Sequence, residues 1–215
     1  MIAEAPAMLA TTDRVMLEAR VGTPETTLRG GVVIAHPHPL YGGDMDNPVV
    51  VRVAEVLGEL GLATLRFNFR GTGRSTGVHG HGTDEQQDVE AARAHLTSVV
   101  GTGRPLVLAG YSFGAAVVAQ VSPRHADLAG VVLVAPPLAR VDADHFSALE
   151  GFGERLLVIA GSEDDICPAP ALARLRESLP GATVHVVEGA NHFFFGKLYP
   201  LGEAARAWVR ERMAL

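Results

Sequence analysis

Residues 106–119 read LVLAGYSFGAAVVA, and this stretch decides the fold of the chain. It joins an apolar strand pattern to a helix pattern through a G-x-S-x-G pentapeptide with Ser112 at its centre. So tight a strand-to-helix turn forces its central residue into a strained backbone, and the flanking glycines let the neighbouring segments pass closely. We therefore expect the hydroxyl of Ser112 to project from the edge of a sheet, where it can act as a nucleophile. The simpler alternative is a serine that only caps a helix between two turn glycines.

Short β-branched runs alternate with longer helical patterns on both sides of this stretch. The strands are predicted at residues 14–20, 31–35, 62–67, 105–109, 128–134, 155–160 and 183–187. The helices are predicted at residues 47–60, 84–99, 113–121, 169–179 and 201–213, the second of them from the capping-box spacing of Thr83 and Gln86. This alternation predicts an α/β fold, with a mostly parallel, twisted sheet of about seven strands and helices on both faces. No repeat or linker interrupts it, so residues 1–215 are predicted to form a single domain.

Composition and charge exclude several classes of protein. The chain has 215 residues, of which 47% are hydrophobic, so it can bury enough surface to fold. Its formal charge of −6 argues against a nucleic-acid partner, because such a partner requires clustered Lys and Arg. No apolar run is long enough to span a membrane, and residues 1–6 lack the basic start of a signal peptide. Together with a single Cys, which fits a reducing compartment, these features predict a cytoplasmic protein.

A serine nucleophile needs a base, and the base needs an acid that orients it. Around an elbow of this kind, the acid and then the histidine follow the serine along the chain. The strand predicted at residues 155–160 leads into an acidic loop, in which Asp164 stands three residues after Gly161. Asp164 is therefore our choice for the acid, while Glu163 and Asp165 in the same loop remain alternatives.

Only two of the nine histidines, His185 and His192, follow this loop. His185 lies inside the alternating strand at residues 183–187 and is expected to be structural. His192 lies in the loop between the last strand and the last helix. The carboxyl ends of parallel strands lie at one edge of a sheet, so this loop is expected beside Ser112 and Asp164. His192 is the predicted base.

Two backbone amides are needed to bind the negative oxygen that forms when the serine attacks a carbonyl group. The amide of Phe113 is one candidate, because it stands at the start of a helix. The other is expected from the loop after the first buried strand, where Pro37 and Pro39 have no N–H group. His38 and Leu40 remain, and we favour His38.

Histidine pairs at His36 and His38, and at His79 and His81, raise the question of a metal site. No third ligand follows either pair at a recognisable spacing. We therefore expect no metal, and the predicted chemistry needs no other cofactor.

Two further stretches carry a resemblance to a known family. HPHPLYGGDMDN at residues 36–47 and LRFNFRGTGRS at residues 65–75, taken with the serine elbow, resemble the α/β-hydrolase superfamily. Within it, the chain is similar to small cap-less bacterial serine hydrolases related to dienelactone hydrolases. The resemblance covers nearly the whole chain and implies Ser112, Asp164 and His192 as nucleophile, acid and base. Dienelactone hydrolases proper use a Cys nucleophile, whereas the single Cys here, Cys167, lies outside the elbow.

The substrate is expected to be a small molecule with an apolar acyl group. Residues 135–155 are too few for a cap domain, although they suffice for a small lid. Tyr41, Phe146 and Phe193 are candidate walls of the pocket. A homodimer through an edge strand or the last helix is compatible with the sequence.

The function predicted from these features is hydrolysis of a small carboxylic ester or thioester through an acyl-enzyme. Amide hydrolysis, acyl transfer and perhydrolysis use the same fold and the same three residues, so they remain alternatives. A non-catalytic binding protein that retains the fold is a further alternative.

Overall fold

The apolar runs of the sequence become the strands of one eight-stranded sheet. A computed structural model describes residues 3–25 and 27–214. The strands are β1 Ala3–Ala10, β2 Met16–Thr23, β3 Gly30–Ala35, β4 Leu62–Phe67, β5 Leu106–Tyr111, β6 Gly130–Val134, β7 Leu156–Gly161 and β8 Thr183–Val187. The α-helices are α1 Pro48–Gly58, α2 Glu85–Val100, α3 Phe113–Val121, α4 Ala169–Ser178 and α5 Leu198–Arg212. Short 3₁₀ segments occupy Pro39–Tyr41, Ser122–Arg124 and Ala143–Arg155, the last interrupted at Gly153.

The strand order in the sheet is β1-β2-β4-β3-β5-β6-β7-β8. The first two strands run antiparallel to their neighbours, and all pairs from β4 to β8 are parallel. The segments that follow β3, β5, β7 and β8 therefore meet at one edge of the sheet, which is where a site is expected in an open α/β sheet.

Two apolar layers cover the sheet because successive side chains of a strand point to opposite faces. In β3, Val32 and Ile34 belong to the core formed with α1 and α5, while Val33 and Ala35 belong to the core formed with α2, α3 and α4. The five strands from β3 to β7 are buried along their whole length. The predicted mostly parallel sheet with helices on both faces is confirmed.

The predicted number of strands was one too low. The additional strand, β1, has the sequence AEAPAMLA, is mostly exposed and pairs only with β2. Its alanines and Pro6 have low strand propensity, and Pro6 is tolerated because β1 is an edge strand. The strand predicted at residues 14–20 is displaced to Met16–Thr23, because Arg14 has a positive φ of 68° in the turn before it.

The prediction that Thr83 and Gln86 form a capping box at the start of α2 was wrong. The helix begins at Glu85, and its N-cap residue, Asp84, makes no side-chain capping hydrogen bond. The side chain that organises the preceding turn is Glu85, which accepts hydrogen bonds from the amides of Gly80 and Gly82 at 2.7 Å each. In the part of the chain that the structure describes, no helix has the length and apolarity needed to cross a membrane.

Candidate active site

The turn between β5 and α3 has the strained geometry that its sequence predicts. Ser112 has a φ of 53° and a ψ of −114°, which a residue with a side chain rarely adopts. The flanking glycines permit this turn, since a Cβ on Gly110 would lie 2.3 Å from the carbonyl oxygen of Gly114. A Cβ on Gly114 would lie 2.4 Å from the carbonyl oxygen of Ala35. The elbow is therefore held by close backbone contacts that only glycine allows.

Ser112 and His192 form a direct hydrogen bond across the sheet edge. The hydroxyl of Ser112 lies 2.9 Å from Nε2 of His192, the distance expected for a nucleophile and its general base. Both residues are largely buried, with 8% and 6% of their surfaces exposed. This small exposure leaves the site accessible while excluding most water around the pair.

The other ring nitrogen of His192 contacts the carboxylate of Asp164. The distances from Nδ1 are 3.0 Å to Oδ1 and 2.9 Å to Oδ2. Oδ1 also accepts hydrogen bonds from the amides of Ile166 and Cys167, both at 2.8 Å. A carboxylate held in this way fixes the ring so that Nδ1 carries its proton and Nε2 is free to accept one.

The alternative acids of this loop, Glu163 and Asp165, are exposed, whereas the side chain of Asp164 is fully buried. The histidine alternative, His185, is exposed on β8. The structure therefore brings Ser112, His192 and Asp164 together.

The backbone of His192 is held as well as its ring. The hydroxyl of Tyr111, at the end of β5, donates a hydrogen bond to the carbonyl oxygen of His192 at 2.9 Å. Burial, together with the nearby negative charge of Asp164, raises the pKa of Tyr111 well above its usual range, so this hydroxyl remains a donor. The same two causes raise the pKa of Cys167 to about 12, which leaves its buried thiol protonated and unreactive.

The geometry favours His38 over Leu40 as the second amide donor. The amide of Leu40 already donates to Nδ1 of the His38 ring at 3.2 Å. Within the described residues, neither the amide of His38 nor that of Phe113 donates to the backbone of another segment. Their side chains are adjacent, with ring centroids 4.8 Å apart. The two amides therefore belong to neighbouring residues on the loop after β3 and at the start of α3.

The sequence of this chain matches a known family of hydrolases. The family model described as serine aminopeptidase, S33, matches residues 42–152. The chain belongs to this hydrolase family. The relative RP471 of Rickettsia prowazekii, an uncharacterised protein, is 31% identical over 183 residues, which cover 82% of this chain and 77% of the relative.

Solved structures identify the architecture of this family member. XC6422 from Xanthomonas campestris, described as an α/β serine hydrolase without a lid, is 32% identical with a TM-score of 0.85. That match covers 97% of this chain and 94% of XC6422. Est1E from Butyrivibrio proteoclasticus shares the fold at 20% identity and a TM-score of 0.81, over 97% of this chain and 100% of its own. The predicted cap-less α/β-hydrolase fold is confirmed.

The three candidate pocket walls of this hydrolase lie in different environments. Tyr41 and Phe193 are 87% and 55% exposed and stand beside His38 and His192, with ring centroids 4.8 Å and 5.6 Å apart. Phe146 is fully buried in the core beneath α3 and α4, so it offers no surface to a ligand. Leu149 and Phe152 of the same segment, Ala143–Arg155, are buried in that core as well, so the segment packs against α3 and α4 and forms no lid.

His36 has a structural role that its pairing with His38 in the sequence did not reveal. Its ring is fully buried, with Nε2 accepting the amide of Phe69 at 3.0 Å and Nδ1 donating to the carbonyl oxygen of Pro37 at 2.6 Å. Burial lowers its pKa to about 4, so the ring is neutral and joins the loop after β3 to the loop after β4. Across the described ranges, no three His, Cys, Asp or Glu side chains are grouped so as to hold a metal ion.

Glu85 was missed by sequence reasoning. Its buried carboxylate lies 2.9 Å from Nδ1 of His79, whose ring packs against the rings of His38 and Phe113. The signal available in the sequence was the glycine-rich loop at residues 71–82, whose backbone amides need a nearby acceptor.

Proposed function

We propose that this serine hydrolase cleaves a small carboxylic ester or thioester by way of an acyl-enzyme. The observation that carries the proposal is the hydrogen-bonded series from Ser112 through His192 to Asp164, built on a strained elbow. The architecture shared with the lidless serine hydrolase XC6422 supports this choice. So does the fold shared with Est1E, whose structure holds ferulic acid, a carboxylic acid of the kind that ester hydrolysis releases.

In the first half of the reaction, Oγ of Ser112 attacks the carbonyl carbon while Nε2 of His192 takes the hydroxyl proton. The amides of Phe113 and His38 bind the negative oxygen, and the dipole of α3 adds to this stabilisation. Asp164 stabilises the positive charge that develops on the ring. His192 then gives its proton to the leaving oxygen or sulfur, and the bond to the leaving group breaks.

In the second half, a water molecule takes the place of the leaving group. His192 accepts a proton from this water as the water attacks the acyl carbon, and the same ring then protonates Oγ of Ser112. The carboxylic acid is released and the starting arrangement is restored. The first and the last of these proton transfers, between Oγ of Ser112 and Nε2 of His192, take place along the 2.9 Å contact. The two transfers between them join Nε2 to the leaving group and to the attacking water.

A fluorophosphonate probe tests the nucleophile directly. The wild-type protein is expected to be labelled, and Ser112→Ala is expected to remove the label. Ser98→Ala, at an exposed position on α2, serves as the control and should be labelled like the wild type. A wild-type protein that takes no label contradicts the proposal and favours a non-catalytic binding protein.

The acyl chemistry is then resolved with a panel of substrates. p-Nitrophenyl esters and acyl-CoA thioesters of graded chain length report on the proposed reaction. The family description, which names a serine aminopeptidase, favours amide hydrolysis as the second candidate. Aminoacyl p-nitroanilides therefore belong in the same panel, and turnover of these alone would replace the ester by an amide.

A further inference from the structure

The loop after β8 presents two phenylalanine rings to solvent beside His192. Phe193 is 55% exposed and Phe195 is 73% exposed. Their rings are stacked, with centroids 5.4 Å apart and planes inclined by 24°. The Phe193 ring stands nearly perpendicular to the His192 ring at 5.6 Å. The two exposed rings therefore form one apolar surface that begins at the imidazole.

The residue between them fixes this surface in place. Phe194 is fully buried and has a φ of 53°, a conformation that a bulky residue adopts only when its surroundings impose it. Its amide donates to the carbonyl oxygen of Asn191 at 3.1 Å, and its own carbonyl accepts from the amide of Lys197 at 2.9 Å. Since the backbone is tied down on both sides, Phe193 and Phe195 are held outward by the turn.

Exposed apolar side chains are concentrated around this edge of the sheet. Ten large hydrophobic side chains are exposed among the residues described, and five of them lie between β3 and α1, between β4 and α2 or between β8 and α5. These five are Leu40, Tyr41, Val78, Phe193 and Phe195. Isolated exposed apolar residues are ordinary on protein surfaces, whereas a group beside a reactive serine indicates a binding surface.

The chemistry of the proposed reaction determines on which side of Ser112 the leaving group lies and on which side the acyl group lies. His192 must protonate the leaving atom, so that atom has to lie within hydrogen-bond reach of Nε2. The carbonyl oxygen points at the same time to the amides of Phe113 and His38. The leaving group therefore extends on the His192 side, towards Phe193, and the acyl group extends on the opposite side.

We propose that Phe193 and Phe195 form the binding platform for the leaving group, and that the preferred substrates release an alcohol or thiol bearing a planar aromatic ring. Aromatic rings gain a specific attraction from stacked or edge-to-face contact, beyond the burial of apolar area. In acylation, the bond from Oγ of Ser112 to the acyl carbon forms and the bond to the leaving oxygen breaks. The serine proton leaves on the aromatic alcohol. This inference rests on the proposed function and specifies its substrate class.

Benzyl acetate and cyclohexylmethyl acetate test the platform, because their leaving alcohols are similar in size and acidity and differ in the planar ring. The wild-type protein is expected to favour benzyl acetate by about threefold to tenfold in kcat/KM. Phe195→Leu is expected to bring this ratio close to one. Tyr199→Leu, an equally exposed aromatic position that contacts Arg52, is the matched control and should retain the wild-type ratio.

A second pair of esters tests whether Phe195 contacts the leaving group and not the acyl group. Methyl phenylacetate and methyl cyclohexylacetate differ in the planar ring of the acyl group. Phe195→Leu should leave the ratio of their kcat/KM values unchanged. The inference is overturned if the wild type shows no preference for benzyl acetate, or if this preference persists in Phe195→Leu. It is also overturned if Phe195→Leu changes the kcat/KM ratio of methyl phenylacetate to methyl cyclohexylacetate instead. Any of these results with Ser112 still labelled by the fluorophosphonate leaves the proposed function intact. An unlabelled wild type that hydrolyses none of these esters rejects the function itself.

Discussion

Nε2 of His192 lies 2.9 Å from Oγ of Ser112, although the two residues are 80 positions apart in the chain. The contact depends on the parallel order of β5, β6, β7 and β8, which brings the loop after β8 back to the elbow after β5. Tyr111 links the same two segments, since it precedes Ser112 and binds the carbonyl oxygen of His192. The geometry of the site is thus a property of the sheet edge as a whole.

Asp164→Asn is expected to lower kcat by about three to four orders of magnitude. The amide oxygen would still accept from Ile166 and Cys167, so the amide nitrogen would replace Oδ2 and face Nδ1 of His192. The ring would then carry its proton on Nε2 and could not accept one from Ser112. Steady-state hydrolysis of a p-nitrophenyl ester measures the effect. Asp165→Asn is the control, and a loss of similar size in that variant would assign the acid to Asp165.

Tyr111→Phe is expected to reduce the free energy of unfolding by about 1 kcal/mol, because the carbonyl oxygen of His192 loses its buried donor. We also expect kcat to fall by about threefold to tenfold, since the ring of His192 is held less firmly. Urea unfolding and ester hydrolysis report the two effects separately. Tyr199→Phe, in which an exposed hydroxyl is removed, should change neither quantity.

The stability of the protein is expected to fall between pH 6.5 and about 4 because of His36. Burial lowers the pKa of this ring from 6.5 to about 4, so in this window the unfolded chain binds a proton that the folded chain does not. The contribution of His36 to the free energy of unfolding is fully present above pH 6.5. Its loss, about 3 kcal/mol, is complete once the pH is below the pKa of His36 in the folded protein.

Urea unfolding of wild type and His36→Asn at a series of pH values checks this expectation. The variant should be less stable than the wild type near neutral pH, and the difference should narrow as the pH falls through the window. In Phe67→Leu, which alters a buried ring that cannot take up a proton, the difference in the free energy of unfolding from wild type should stay nearly constant. A constant difference for His36→Asn would show that its protonation is not linked to folding.

Gly114→Ala is expected to destabilise the fold by about 3 kcal/mol or more. The added Cβ would lie 2.4 Å from the carbonyl oxygen of Ala35 and 2.6 Å from that of His36, and neither backbone segment can move without disturbing β3. The matched control is Gly151→Ala, where nothing lies within 4 Å of the added carbon, and a small gain of about 0.5 kcal/mol is expected there. Equal stability of the two variants would mean that the elbow tolerates a wider turn than the structure indicates.

Much of the fold was predictable because its signals are local. The apolar runs that become β4 and β8, and the helix that becomes α3, were placed at their observed bounds. The capping box at Thr83 failed because a competing local contact replaces it, since Glu85 binds the amides of Gly80 and Gly82. The strand β1 was missed because its alanine-rich sequence has low strand propensity, and only pairing with the edge of β2 makes it a strand.

The sequence by itself determined the elbow at Ser112, the alternation of strands and helices, and the short set of candidate partners, because glycine spacing and hydrophobic period act within a few residues. Only the tertiary structure brought Asp164, and not Glu163 or Asp165, against His192, turned Phe146 into the core, and left Phe193 and Phe195 exposed. Each of these outcomes depends on side-chain direction and burial. Both are set by packing between segments that are far apart in the chain.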